Sequence, residues 1–174
     1  AGTVAIAVDS NAVCEDGSVD AACSLNDLAE LFRSNDKLEP GDLVQFDLDN
    51  PVMLKKATSR KLLAGVISTS PAIVMEGNGL KHMGGTYGWE ENKVPLSLTG
   101  RVPVKINLEG GVIRIGDALT LSSRAGIARK ATEAGKIVGY ALENSDKEGK
   151  IRMLIENGFW MPEEELNQCL AKSQ

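Results

Sequence analysis

One short phrase of this chain is written twice. Gly41-Asp42-Leu43-Val44 returns as Gly116-Asp117-Ala118-Leu119, Lys56-Ala57-Thr58 as Lys130-Ala131-Thr132, and Leu63-Ala64-Gly65-Val66 as Ile137-Val138-Gly139-Tyr140. The order is the same in both copies, and the step from Asp to Lys differs by one residue. Each copy reads turn, strand, turn, strand, charged turn, strand. Gly supplies permissive backbone angles where the chain must reverse, and Asp hydrogen-bonds nearby backbone there. The second Gly of each copy lies in an apolar run, where it allows a bulge or a close backbone approach. Two copies are too few for a solenoid, and neither half can bury its apolar face alone. The echo predicts a pseudo-symmetric β-barrel or sandwich, with its copies at about 39–68 and 114–143.

Alternating or apolar runs predict strands at Leu43–Leu48, Val52–Lys56, Leu63–Ser68, Ala72–Met75, Val94–Ile106, Val112–Ile115, Ala118–Leu121, Ile127–Lys130, Ile137–Leu142 and Ile151–Ile155. Aromatics make up only 4% of the 174 residues, so the core must come from Val, Ile, Leu and Ala, which favours strands where β-branched residues gather. Two segments carry helix signals. Leu28, Leu31 and Phe32 are spaced as one helix face behind Asn26 as N-cap, and Glu164–Lys172 follows Pro162. The expected fold is all-β and mainly antiparallel, with the pseudo-repeat and one or two short helices. The expected division is an N-terminal strand and polar loop at 1–25, a β-domain at 26–155 and a C-terminal tail at 156–174.

Several function classes fall away. A net charge of −5 gives no basic stripe for nucleic acid. No apolar run approaches the roughly 18 residues of a membrane-spanning helix. The apolar start lacks both an initiator Met and a basic leader, so the chain is read as a processed form or a fragment of something longer. Cys14 and Cys23 bracket a polar loop that a disulfide could close in an oxidising compartment; free cysteines are the competing reading. One histidine and no close cysteine pair give no metal site. Asp47, Asp49 and Asn50, like Asp9 and Asn11, lack the Gly and distal Glu of a calcium loop and read as solvated turns. No cofactor motif is present, since Gly77 to Gly88 lacks both phosphate-loop and dinucleotide patterns.

Residues 76–93 form a Gly-rich stretch without periodicity, long enough to suggest a functional loop. It carries Tyr87 and Trp89 in a chain poor in aromatics, which suits a subunit interface, a stacked sugar or peptide, or packing back onto the same domain. His82, expected exposed in this loop, would have to serve any Ser-His-Asp site, with Ser68, Ser70 or Ser97 as nucleophile; no Gly-x-Ser-x-Gly elbow supports one. Asn78-Gly79 and Asn157-Gly158 read as turns, although Asn-Gly links are also open to backbone attack by the Asn side chain. Trp160 precedes the acidic run Glu163-Glu164-Glu165 and is a further candidate for packing on a neighbouring subunit.

Asp27-Leu28-Ala29-Glu30-Leu31-Phe32 through Leu38-Glu39-Pro40-Gly41-Asp42-Leu43-Val44, then Ala64-Gly65-Val66-Ile67-Ser68-Thr69-Ser70-Pro71 and Val94-Pro95-Leu96-Ser97-Leu98-Thr99-Gly100-Arg101-Val102-Pro103-Val104-Lys105, make up a recognisable order. Gly116-Asp117-Ala118-Leu119 and Val138-Gly139-Tyr140-Ala141-Leu142-Glu143 complete it. This order resembles the C-terminal β-domain of phage tail-fibre and related bacterial cell-surface fibre proteins. The resemblance implies a fibre-end module, extracellular, on a cell surface or on a virion. It also implies a homotrimer that caps a stalk and meets a glycan or protein receptor. Some related domains are intramolecular chaperones that cut themselves off after assembly, and no catalytic residue of that kind matches a position here. The expectation is a non-enzymatic structural and adhesive module. An autoproteolytic chaperone and a capsid-decorating or scaffold protein are the alternatives.

Overall fold

The computed structural model describes residues 26–77, 79–83 and 87–171. The Cys14–Cys23 pairing, the 1–25 strand and the Asp9/Asn11 turn lie outside them. Eleven strands and one helix follow in chain order: β1 Asn26–Ser34, β2 Leu43–Phe46, β3 Met53–Lys56, β4 Leu63–Ile67, β5 Ile73–Glu76, β6 Gly79–Met83, β7 Lys93–Ile106, β8 Ala118–Leu121, β9 Ala128–Lys130, β10 Gly135–Ala141, β11 Gly149–Trp160 and α1 Glu163–Ala171. A 3-10 turn, Arg60–Leu62, leads into β4. The fold is all-β, as the echo requires, with one short helix.

The strands close into two rings that share β7. In the first, β1 lies parallel to β3, and the antiparallel pairs β3–β2, β2–β4, β4–β7 and β7–β1 complete the circuit. In the second, β7 lies parallel to β9, and β9–β8, β8–β10, β10–β11 and β11–β7 close it antiparallel. The five-strand order is identical. The 14-residue β7 can serve both rings because β1 pairs with its first part, up to Arg101, and β11 with its last part, from Arg101 onward. The repeat is therefore larger than the echo, since β1 and the first part of β7 correspond to the last part of β7 and β11.

The twin turns explain why the Gly-Asp phrase recurs. Gly41 and Gly116 have φ of +86° and +89°, a region an L side chain rarely enters. Each following Asp accepts the N–H three residues back, Glu39 N to Asp42 Oδ2 at 3.0 Å and Arg114 N to Asp117 Oδ2 at 2.7 Å. The lysine of the second phrase then reaches the same carboxylate, with Lys56 3.0 Å from Asp42 and Lys130 2.9 Å from Asp117. A turn and the strand two steps away are thus tied by one side chain.

Two cores result. The larger lies in the second ring and at the junction, with Val102, Val104, Leu119, Val138, Ile151 and Met153 joined by Leu43, Leu63 and Val66 from the first copy. The smaller fills the first ring with Leu38, Val44, Leu54, Ile67, Val94 and Leu96. Neighbouring β2 residues divide between them, Leu43 to one core and Val44 to the other, because successive side chains of a strand point to opposite faces.

Three local expectations are corrected. Asn26–Phe32 is not a helix but most of β1, paired antiparallel to β7 and parallel to β5 and β3. A register shift between Leu28 and Ala29 breaks the alternation, leaving apolar positions that imitate a helical face. Val112–Ile115 forms no strand beyond a single bridge from Ile113 to Ser145. Asn157-Gly158 is not a turn: it lies within β11 beside a register shift against β10, and Asn157 Nδ2 donates to Ala64 O at 3.2 Å. β11 runs unbroken across residue 156 to Trp160. Among the described residues no helix is long and apolar enough to cross a membrane.

Candidate functional site

The two rings differ most between their fourth and fifth strands. In the second, residues 142–148 make a short link, held where Ile113 and Ser145 exchange two backbone hydrogen bonds of 2.9 Å. In the first, the link grows to residues 68–92 and carries the sequence's aromatic candidates. Part of this expected loop is ordered as a hairpin: β5 runs parallel to β1, and β6 pairs antiparallel with β5. The hairpin was hidden in the sequence because a register shift between Val74 and Met75 breaks its alternation and glycines surround it.

The hairpin has two unlike faces. Directly paired residues share a face. Val74, buried, and His82 point inward, while Ile73 and Met83, with Met75 and Leu80, look outward and leave Ile73, Leu80 and Met83 exposed. His82 is thus a half-buried strand residue and not an exposed loop residue. Its ring meets Tyr87 edge-on, with centroids 5.5 Å apart. Tyr87 in turn meets Trp89 edge-on at 6.4 Å. Tyr87 is buried and Trp89 is 40% exposed, so the stack ends in an aromatic surface facing solvent.

Four charges sequence reading passed over brace this stack. Lys93 lies 2.5 Å from Glu76 and 3.1 Å from Glu90, while Lys81 lies 3.3 Å from Glu76 and 3.2 Å from Glu90. The result is a closed ring of alternating charge. Hydrogen bonds from Lys93 hold both glutamates below their usual range. Glu90 above all holds Lys81 above its own, and Glu76 does the same for Lys93. Each pair is partly exposed and contributes little alone; together they fix where residues 76, 81, 90 and 93 sit. Burial, helped by Glu90, pushes the Tyr87 hydroxyl up. The signal was the interleaving of Glu and Lys around the glycines.

Beside this assembly lies a cleft of about 320 Å³, walled on one side by residues 34–38 and on the other by Trp89, Glu90, Asn92, Lys93 and Val94. The walls are joined where Ser34 N donates to Asn92 O at 3.1 Å. Asn92 takes φ +58°, a left-handed conformation that Asn tolerates better than most residues. Asp36 is anchored by the Lys56 N–H at 2.8 Å, and its own N–H donates to Ser34 Oγ at 3.1 Å.

The remaining candidates lie elsewhere. Trp160 packs with Tyr140 over a small cluster of Ala118, Ala131 and Ile137 in the second ring, away from the hairpin stack. Ser97 does not face His82: its hydroxyl donates to Asp27 Oδ2 at 2.6 Å, and both residues are buried. Burial raises the Asp27 pKa, against the lowering effect of Ser97. This buried pair joins residues 70 positions apart, so no local motif announced it. Among the described residues no group of His, Cys, Asp and Glu is placed to hold a metal ion.

No protein-family model matches the chain. No curated protein matches it either. Among solved structures, it is similar to the C-terminal fragment of gene product 12 of bacteriophage phi29, with a TM-score of 0.50 and 15% identity over 75% of this chain and 100% of that one. The pre-mature form of the same phage protein gives a TM-score of 0.49 and 15% identity over 81% of this chain, which spans 24% of that longer one. At this identity the likeness is one of fold, and the fold it matches is a whole bacteriophage C-terminal fragment.

Proposed function

We propose that this domain is a non-catalytic structural module at the end of a virion fibre, which assembles as a homotrimer and takes part in contact with a receptor. The observation that carries the reading is the coverage of an entire bacteriophage C-terminal fragment by this chain. The order of motifs from Asp27 to Glu143, which resembles fibre-end domains, supports it from the sequence side. Association is supported by the outward face of the β5–β6 hairpin, where Ile73 on β5 stands exposed beside Leu80 and Met83 on the edge strand β6. Contiguous apolar surface at a sheet edge marks a place where chains meet.

Light scattering coupled to size exclusion tests the assembly. The expected species has about three times the 18.5 kDa monomer mass and falls apart in a Leu80→Glu, Met83→Glu variant. A monomer across a wide concentration range sinks the trimer. The non-catalytic part is tested by a time course of a purified parent chain extending beyond this segment, in which no self-cleavage is expected.

A further inference from the structure

We propose that the Trp89 cleft is a saccharide site that takes a neutral pyranose sugar. The inference rests on the receptor-contact reading above and names the chemistry of that contact. A pyranose ring has an apolar face of C–H groups and an equator of hydroxyls, so its site needs a fixed aromatic platform beside planar polar side chains. Trp89 supplies the platform. It lines the cleft and is 40% exposed, and it is braced edge-on by Tyr87, itself braced by His82. Bracing matters because a platform already held in place loses little entropy when a ligand stacks on it.

The walls supply the hydrogen bonds. Asn35 and Asn92 line the cleft, and among the described residues their side-chain amides have no partner, leaving donors and an acceptor on each for hydroxyl groups. Their backbones are held by the Ser34–Asn92 hydrogen bond and by the turn at Asp36. Charge sets the class of sugar. The lining carries two acids, Asp36 and Glu90, and two bases, Lys37 and Lys93, so the formal balance is zero. Lys93 and Glu90 are already satisfied in the charge ring. A cleft built for phosphate or an acidic sugar would carry an excess of unpaired cations; this one suits an uncharged ligand dense in hydroxyls.

The chain has two tryptophans, which makes the test direct. In a Trp160→Phe variant of the whole chain, Trp89 is the sole tryptophan, and its emission reports the cleft alone. The probes are short homo-oligosaccharides of glucose, galactose, mannose and N-acetylglucosamine, each titrated separately, with polysialic acid and inorganic phosphate beside them. The expected result is a saturable shift of emission with at least one neutral sugar. In calorimetry on the otherwise unaltered chain, Trp89→Ala should weaken that sugar by about thirtyfold or more, as removal of an aromatic anchor does. Asn35→Ala, at an exposed position where folding is not at stake, should weaken it by about fivefold. Response to no neutral sugar, response only to the anions, or an affinity unmoved by either variant overturns the proposal. Light scattering on the same samples keeps the two readings apart. A trimer blind to sugars removes the saccharide site and leaves the fibre, whereas a monomer that binds sugar does the reverse.

Discussion

The first and second rings share one strand order, one pair of Gly-Asp turns and one long strand, yet they are finished differently. The second closes its fourth and fifth strands over residues 142–148 and fills with the larger core. The first encloses a smaller core and opens the same joint into residues 68–92, which carry the hairpin, the charge ring and the aromatic stack. The comparison separates scaffold from cargo. A repeated framework whose joints are fixed by a few residues can lengthen one link without disturbing the strands around it, because loop closure costs only slowly more with length.

The largest test of the shared framework lies at its paired internal glycines. A Cβ on Gly139 would stand 1.9 Å from the backbone carbonyl oxygen of Leu154, an atom that cannot move without breaking the β10–β11 ladder. On Gly65 the nearest atom would be Leu96 Cδ1 at 3.0 Å, the end of a side chain that can rotate. Both glycines also have a φ of +155°, which strains any L side chain before packing is counted, so Gly139→Ala should cost on the order of 5 kcal/mol and Gly65→Ala about 2–3 kcal/mol. Urea unfolding measures both. Equal losses would mean that the rings are more alike at these joints than the geometry says.

The turns give the next contrast. Asp42 is 1% exposed and serves two lysines, Lys56 at 3.0 Å and Lys105 at 2.8 Å. Asp117 is 19% exposed and, among the described residues, pairs with one lysine, Lys130. Asp42→Ala leaves two cations facing a buried gap and should cost about 3 kcal/mol. Asp117→Ala, where water can take the place of the carboxylate, should cost about 1 kcal/mol. The same unfolding curves decide it, and a larger loss at Asp117 would reverse the assignment of the first turn as the one locked by burial.

What could be read from the chain follows from the range of each interaction. The Gly-Asp phrase was legible because it is local and occurs twice, and its spacing to Lys56 and Lys130 foreshadowed the ion pairs across each turn. β1 was misread because its register shift leaves Leu28, Leu31 and Phe32 in helical spacing, and its strand character comes from three partners distant in sequence. That β7 belongs to both rings was invisible for the same reason. Tyr87 and Trp89 were found by their rarity. The cleft beside Trp89 depends on Asn35 and Asp36, more than fifty residues earlier in the chain, and Asp27–Ser97 pairs across a similar gap. Neither leaves a trace in spacing.

Asp27 offers the smallest effect and the finest test, because it stands where the first ring's long link begins. Its backbone carbonyl accepts the Ala72 N–H at 3.0 Å, and its carboxylate takes the Ser97 hydroxyl in a buried site. Burial raises its pKa above the ordinary 3.8. A raised value means that the folded state favours the protonated acid, so this contribution to stability is complete below about 3.8 and is lost as pH rises through the folded value. Glu39, Asp47, Glu76, Glu90 and Glu109, whose pKa values are lowered by hydrogen bonds from Lys105, the Asp49 N–H, Lys93, Lys93 and Ser123, give the opposite slope and lose stability as pH falls. A whole-protein profile would mix the two. Asp27→Asn isolates the one of interest, since the amide oxygen still accepts from Ser97 but cannot ionise. The melting temperature of the variant minus that of the parent should rise as pH climbs through the folded value, then stay level. A difference that is flat from acid to neutral pH would mean that Asp27 carries no ionisation cost, and that the joint beneath the long link is as relaxed as the short one across the molecule.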